Sequence, residues 1–133
     1  MERNGAGEEP LQSQHDIVLA RQVVRRLSQE LRFSLVDQTK MVTAASELAR
    51  NTLIYGGGGE MHWQILNDGP KKGLELTFSD RGPGIPNIDL AMTDGWTSGN
   101  GLGLGLSGAR RLVNQFAIES SSGGTRVTIT RWS

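Results

Sequence analysis

The sequence predicts a two-layer α+β sandwich, with helices on one face of a mixed, mostly antiparallel sheet. Three observations lead there. Two long segments before residue 55 carry apolar residues at helical spacing, and neither contains a glycine. Two short segments after residue 60 alternate apolar and polar residues across a run of turn formers. One more helical segment then precedes two further alternating segments. Interleaved helix-period and strand-period stretches in a short chain bury their apolar faces best as a helical layer on a sheet.

The elements follow in order. Met1 to Pro10 is polar and lacks periodicity, so residues 1–12 are expected to be a flexible leader before a single domain over 13–133. Asp16 is the expected N-cap of a first helix, in which Ala20, Val23, Val24, Leu27 and Leu31 share one stripe. Ser34 caps a second helix running to about Ile54, with Val42, Ala45, Ala49 and Leu53 in line; the four glycines Gly56 to Gly59 stop it. Met61, Trp63 and Ile65 form one strand and Leu74, Leu76 and Phe78 another, joined by a longish loop from Asn67 to Gly73. A glycine-rich loop extends from Asp80 to Gly105, with a short helix after Pro86. A third helix carries Leu106, Ala109, Leu112, Val113 and Phe116, and two strands, Phe116 to Ser120 and Arg126 to Trp132, turn at Gly123-Gly124.

Composition excludes several classes of function. Fourteen basic residues balance fourteen acidic ones, so nothing marks a nucleic-acid binder. The absence of cysteine removes disulfides, thiolate metal sites and cysteine nucleophiles. The longest apolar run, Ile17 to Ala20, is too short for a membrane span or a signal-peptide core, and a cytoplasmic location is expected. The 18 glycines in 133 residues are about twice the ordinary share of ~7%. Fourteen of them lie between Gly56 and Gly108, where the chemistry-bearing motifs also lie.

Glu47 and Asn51 stand one helical turn apart, roughly opposite the apolar stripe of the second helix. The pair is compatible with a solvated polar edge. The sharper reading is a cleft-facing carboxylate acting as general base beside a carboxamide oxygen that ligates Mg²⁺. Asp80 closes an apolar strand before Gly82-Pro83-Gly84, either as a turn-forming side chain or as an acceptor for an exocyclic amine, with glycines that admit a flat ligand. Gly99 to Leu106 places glycine at every second position before a helix, which exposes backbone N–H groups to phosphate oxygens. Gly103, Gly105 and Gly108 match the dinucleotide fingerprint only formally, because a polar loop and no buried strand precedes them. Neither a P-loop nor the eukaryotic kinase motifs occur. His15 and His62 lack partners at metal-ligand spacing and are expected to be surface or packing residues.

The order of these motifs is more specific than any one of them: E-x-x-x-N on a helix, D-x-G-x-G after a strand, G-x-G-x-G before a helix, and a late Gly124-Thr125. It resembles the Bergerat-fold (GHKL) ATPases, and within them the anti-sigma-factor serine/threonine kinases, closest to the stressosome switch kinases. Asp16 to Gln22, Ser46 to Asn51 and Gly82 to Pro86 carry the likeness to that subgroup, which extends over Asp16 to Trp132. The resemblance implies ATP and Mg²⁺ as cofactors. It implies Asp80 as acceptor for the adenine amine, with Gly82 and Gly84 shaping the pocket and Thr125 at the adenine end. It implies Asn51 as Mg²⁺ ligand, and Gly101, Leu102, Gly103, Leu104 and Gly105 as the phosphate-binding run, with a lid over residues 94–100. Glu47 becomes the base that activates a partner hydroxyl. One departure is a lid without Lys or Arg between Asp89 and Arg110. Charge on the γ-phosphate then falls to backbone amides and Mg²⁺, with Arg50 a further candidate.

The function this implies is a serine/threonine protein kinase acting on a STAS-type anti-sigma-antagonist partner, in a partner-switching bacterial stress or sigma-factor pathway. A downstream phosphatase or sigma-pathway regulator is a further implied partner, and neither nucleic acid nor membrane is. The alternative is a non-catalytic module in which ATP only sets which protein is bound.

Overall fold

The computed structural model describes residues 2–85, 87–92 and 105–133, leaving aside the side chains of residues 2–4 and 90. Its elements are β1 (Glu2–Leu11), α1 (Gln14–Glu30), α2 (Leu35–Ile54), β2 (Gly59–Asp68), β3 (Lys71–Asp80), α3 (Ile88–Ala91), α4 (Leu106–Arg111), β4 (Gln115–Ser121) and β5 (Gly124–Trp132). One sheet orders the strands β1-β2-β3-β5-β4, and each of its four ladders is antiparallel. The expected α+β sandwich is therefore present, but the sheet expected to be mixed shows no parallel pair among the described residues. The connections explain this: β2–β3 and β4–β5 are hairpins, and the two helices between β1 and β2 reverse the chain twice.

Met61 of β2, Leu74, Leu76 and Phe78 of β3, and Val127 and Ile129 of β5 point to one face. They pack there against Ile17, Ala20, Val24 and Leu27 of α1 and against Met41, Ala44, Ala45 and Leu48 of α2. The opposite face is mostly polar, with Glu60, His62, Gln64, Glu75, Thr77 and Thr128. Trp132 lies across this face above Gly73, where a Cβ would come within 2.8 Å of the ring.

The expected leader is instead an edge strand, paired with β2 from Glu2↔Asn67 to Leu11↔Gly59 across a register shift between Arg3 and Ala6. Its pattern was invisible because only Leu11 is a large apolar residue facing the core. What seats the strand is absence of volume: a Cβ on Gly7 would stand 2.4 Å from the Trp63 ring. The shift near Gly5, Pro10 and the acidic residues blunt the outer edge of the sheet against further pairing.

Other boundaries also move. Ser13, not Asp16, caps α1: its hydroxyl accepts from Asp16 N–H at 3.2 Å, while the Asp16 carboxylate accepts from Gln12 N–H at 2.8 Å. Ser34 caps α2 as expected. The β2–β3 loop shrinks to Gly69-Pro70, because the polar residues flanking it continue the ladder to Asp68↔Lys71. The helix expected to reach Phe116 ends at Arg111, since Phe116 and Ile118 alternate toward the core in β4.

Between α1 and α2, Arg32 holds φ at 61°, with Arg32 N–H on Gln29 O and Phe33 N–H on Ser28 O, both at 3.0 Å. This is a Schellman cap whose left-handed position is filled by arginine rather than glycine. Arg32→Gly is expected to stabilise the protein by about 0.5–1 kcal/mol. Thermal melts check this, and an unchanged or lower midpoint counts against it.

Arg131 ties three elements together beneath the helices. One guanidinium nitrogen donates to Leu112 O at 2.8 Å, a second pairs with Asp37, and Nε has no partner among the described residues. The Arg131 hydrogen bond, and then its charge, hold the Asp37 carboxyl below its ordinary value of 3.8. A carboxylate with a depressed folded pKa stabilises fully above that ordinary value, and the contribution is lost as pH falls through the folded pKa. Asp37→Ala should thus cost about 2 kcal/mol at neutral pH, discounted for a carboxylate one-quarter exposed. In urea melts taken at successively lower pH, the gap from wild type should close below 3.8. A gap independent of pH would contradict this.

Candidate nucleotide site

The site sits where α2 crosses the ends of β3 and β5. α2 is buried on two sides, by α1 and by the sheet, so Met41, Ala44, Ala45, Leu48 and Ala49 are all within the core. The polar edge left over carries Glu47 and Asn51, both half-buried rather than solvated. Asn51 lines a narrow, nearly closed cleft of about 20 Å³ with Leu48, Tyr55, Phe78, Asp80, Ile85, Leu106, Thr125 and Val127. Its lining, mostly apolar with a few polar groups, has the character of a site for a flat base.

Asp80, the last residue of β3, has its carboxylate held from two sides. Oδ1 accepts from Gly82 N–H at 2.9 Å and from Thr125 N–H at 3.2 Å. Oδ2 has no hydrogen bond among the described residues. Thr125 is buried, and its hydroxyl lies 2.8 Å from Ser120 Oγ. Ser120 Oγ in turn accepts from Ile85 N–H at 2.7 Å.

The two glycines after Asp80 are required by the protein itself. A Cβ on Gly84, at φ +81°, would stand 2.0 Å from Ser121 O, and one on Gly82 would meet Gly56 at 2.8 Å. Gly105, at φ +64°, precedes α4, and a Cβ there would lie 2.5 Å from Glu47 Oε2. The structure thus brings Glu47 to the end of the glycine run, and Asn51, Asp80 and Thr125 to one cleft. Gly101, Leu102, Gly103 and Leu104, with the lid over residues 94–100, lie outside the described residues. Arg50 is exposed.

Ser120, Ile85 and Tyr55 were missed as site residues. Ile85 could have been inferred from its place inside the Asp80 to Pro86 turn, but a serine in a run of three on an edge strand gives no signal. His62, expected to have no partner at metal-ligand spacing, stands between two carboxylates that β1 and β2 bring to it: Nδ1 is 4.0 Å from Glu8 and Nε2 3.8 Å from Glu60. One ligand atom from each of Glu8, Glu60 and His62 lies within 4.8 Å of the others, a spacing that could hold a metal ion, although exposed acidic groups commonly cluster without one.

The profile of the histidine kinase-, DNA gyrase B- and HSP90-like ATPase family matches residues 36–132. The chain belongs to this family. It is 43% identical over 123 residues to the serine/threonine-protein kinase RsbT of Bacillus subtilis, covering 92% of each chain. Its fold matches the RsbU and RsbW domains of Rv1364c from Mycobacterium tuberculosis, with a TM-score of 0.63 at 18% identity over 96% of this chain and 32% of that one. It also matches the SiaB–SiaC complex from Pseudomonas aeruginosa, with a TM-score of 0.55 at 12% identity over 98% of this chain and 91% of that one. As a member of this ATPase family the chain uses ATP. The carboxamide oxygen of Asn51, in the lining of this cleft, is a hard donor of the kind Mg²⁺ takes.

Proposed function

We propose that this protein is a serine/threonine kinase that phosphorylates a STAS-type antagonist protein in a partner-switching stress or sigma-factor pathway. The observation that carries the proposal is the Glu47 carboxylate lying against Gly105, the last glycine of the phosphate-binding run. The high identity to a named serine/threonine kinase supports it. A purely nucleotide-sensing module has no need of a carboxylate there.

Asp80 Oδ2 accepts from the adenine amine, while the Thr125 and Gly82 amides keep the carboxylate aimed. Phosphate oxygens meet the amides of Gly101 to Gly105. Asn51 is the residue that would hold Mg²⁺, which when bound neutralises charge on the phosphates. Glu47 takes the proton of the partner's serine or threonine hydroxyl as its oxygen bonds to the γ-phosphorus. The bond from that phosphorus to the bridging oxygen breaks, and ADP leaves. Among the described residues no helix is long and apolar enough to cross a membrane, in keeping with a proposed cytoplasmic site of action.

The test is transfer from γ-labelled ATP to candidate STAS proteins. Label on a partner serine or threonine supports the kinase. Tight ATP binding with no label on the cognate partner would leave the non-catalytic switch module standing instead.

A further inference from the structure

We infer that Ser120 is a positioning residue for the adenine end of the site, an inference that rests on the proposed placement of the base at Asp80. The Ser120 hydroxyl connects the two walls that a base would lie between. On one side it accepts the Ile85 N–H at 2.7 Å, and Ile85 lines the cleft. On the other it meets the Thr125 hydroxyl at 2.8 Å, and Thr125 N–H donates to the carboxylate of Asp80. One serine oxygen therefore links the loop after Asp80 to the residue that aims Asp80.

The seat is reinforced next door. Gly84 lies so close to the Ser121 carbonyl that a Cβ would come within 2.0 Å. Two consecutive residues at the end of β4 thus hold two consecutive residues of the loop. β4 ends the strand order, so its pairing with β5 is the only ladder that fixes it among the described residues. An edge strand paired on one side deforms more readily than a central one, and Ser120 makes the width of the cleft depend on where that edge lies. Without the hydroxyl, the part-buried Ile85 N–H loses its acceptor and the Thr125 hydroxyl loses the partner that sets its rotamer. The chemistry at Glu47, at the other end of the nucleotide, is not touched.

Calorimetry with ATP and steady-state transfer to the partner, using the full chain, test this. Ser120→Ala is expected to weaken ATP binding about tenfold, the cost of one part-buried donor left unpaired. KM for ATP should rise in proportion, with kcat at saturating ATP within about twofold of wild type. Ser120→Thr, which keeps the hydroxyl, should restore the affinity. In the nucleotide-free protein, Ser120→Ala should also speed exchange of the Ile85 amide. If Ser120→Ala does not fold, Ser120→Cys carries the same test, with its weaker acceptor expected to give a several-fold loss of affinity. Unchanged ATP affinity in the folded variant, or a fall in kcat with unchanged KM, overturns the role. Asp80→Asn separates the two levels. If that variant loses ATP while Ser120→Ala does not, the inference alone fails; if it binds ATP like wild type, the placement of the base fails with it.

Discussion

Glu47→Gln is expected to bind ATP within about threefold of wild type and to lose transfer by about 10²–10⁴-fold, the range a positioned general base contributes. Glutamine matches the shape of glutamate and can occupy the space that Gly105 leaves open. It cannot take a proton from a hydroxyl. Because Glu47 is half-buried and belongs to no ion pair among the described residues, the fold should tolerate the change. The readout is single-turnover transfer from labelled ATP to the partner, beside calorimetry on the same preparation. Transfer at the wild-type rate would remove Glu47 from the reaction. Loss of ATP binding would mean that the carboxylate holds the phosphate loop rather than the chemistry. A side chain at Gly105 would disturb the same contact, since its Cβ would stand 2.5 Å from Glu47 Oε2, and the φ of +64° would strain any residue but glycine there.

Asp80→Asn should fail one step earlier, at binding. Oδ1 serves two backbone N–H groups, which need an acceptor. If asparagine keeps its oxygen there, its NH₂ replaces Oδ2 and faces the adenine amine, donor against donor. If the amide turns over, the clash moves to the Gly82 and Thr125 amides. Either orientation leaves donors without acceptors, at about 2–4 kcal/mol, or about a 30-fold to 10³-fold rise in Kd. Thermal melts distinguish the orientations, since the second also loosens the turn after β3. ATP binding at wild-type strength would place the base elsewhere.

Much of the fold was legible because its signals are local. Ser34 and the four glycines after Tyr55 bracket α2, and the alternation in Met61 to Ile65 and Leu74 to Phe78 marks the β2–β3 hairpin. Elements without their own hydrophobic signal escaped. β1 is polar and glycine-containing, and it pairs only because β2 offers a ladder and Trp63 covers Gly7. Phe116 fits helical spacing from Leu112 and strand spacing to Ile118, and the ladder with β5 decides between them. His62 has no acidic neighbour at helical spacing, yet Glu8 lies directly across from it in the sheet.

The site divides along the same line. Glu47, Asn51, Asp80 and the glycine runs stand out by type and order, since helical spacing, strand ends and glycine loops are properties of a few consecutive residues. Sequence alone could not tell a solvated Glu/Asn edge from one in a cleft, because burial depends on what covers α2 from both sides. Nor could it show that Gly82 and Gly84 are glycine because Gly56 and Ser121 crowd them, whatever ligand lies nearby. Ser120 belongs wholly to the tertiary structure: its importance comes from two hydrogen bonds to residues 35 and 5 positions away. The order of motifs pointed to the nucleotide, and long-range packing decided which of those groups share a cleft, because a hydrogen bond between distant residues leaves no periodicity in the chain.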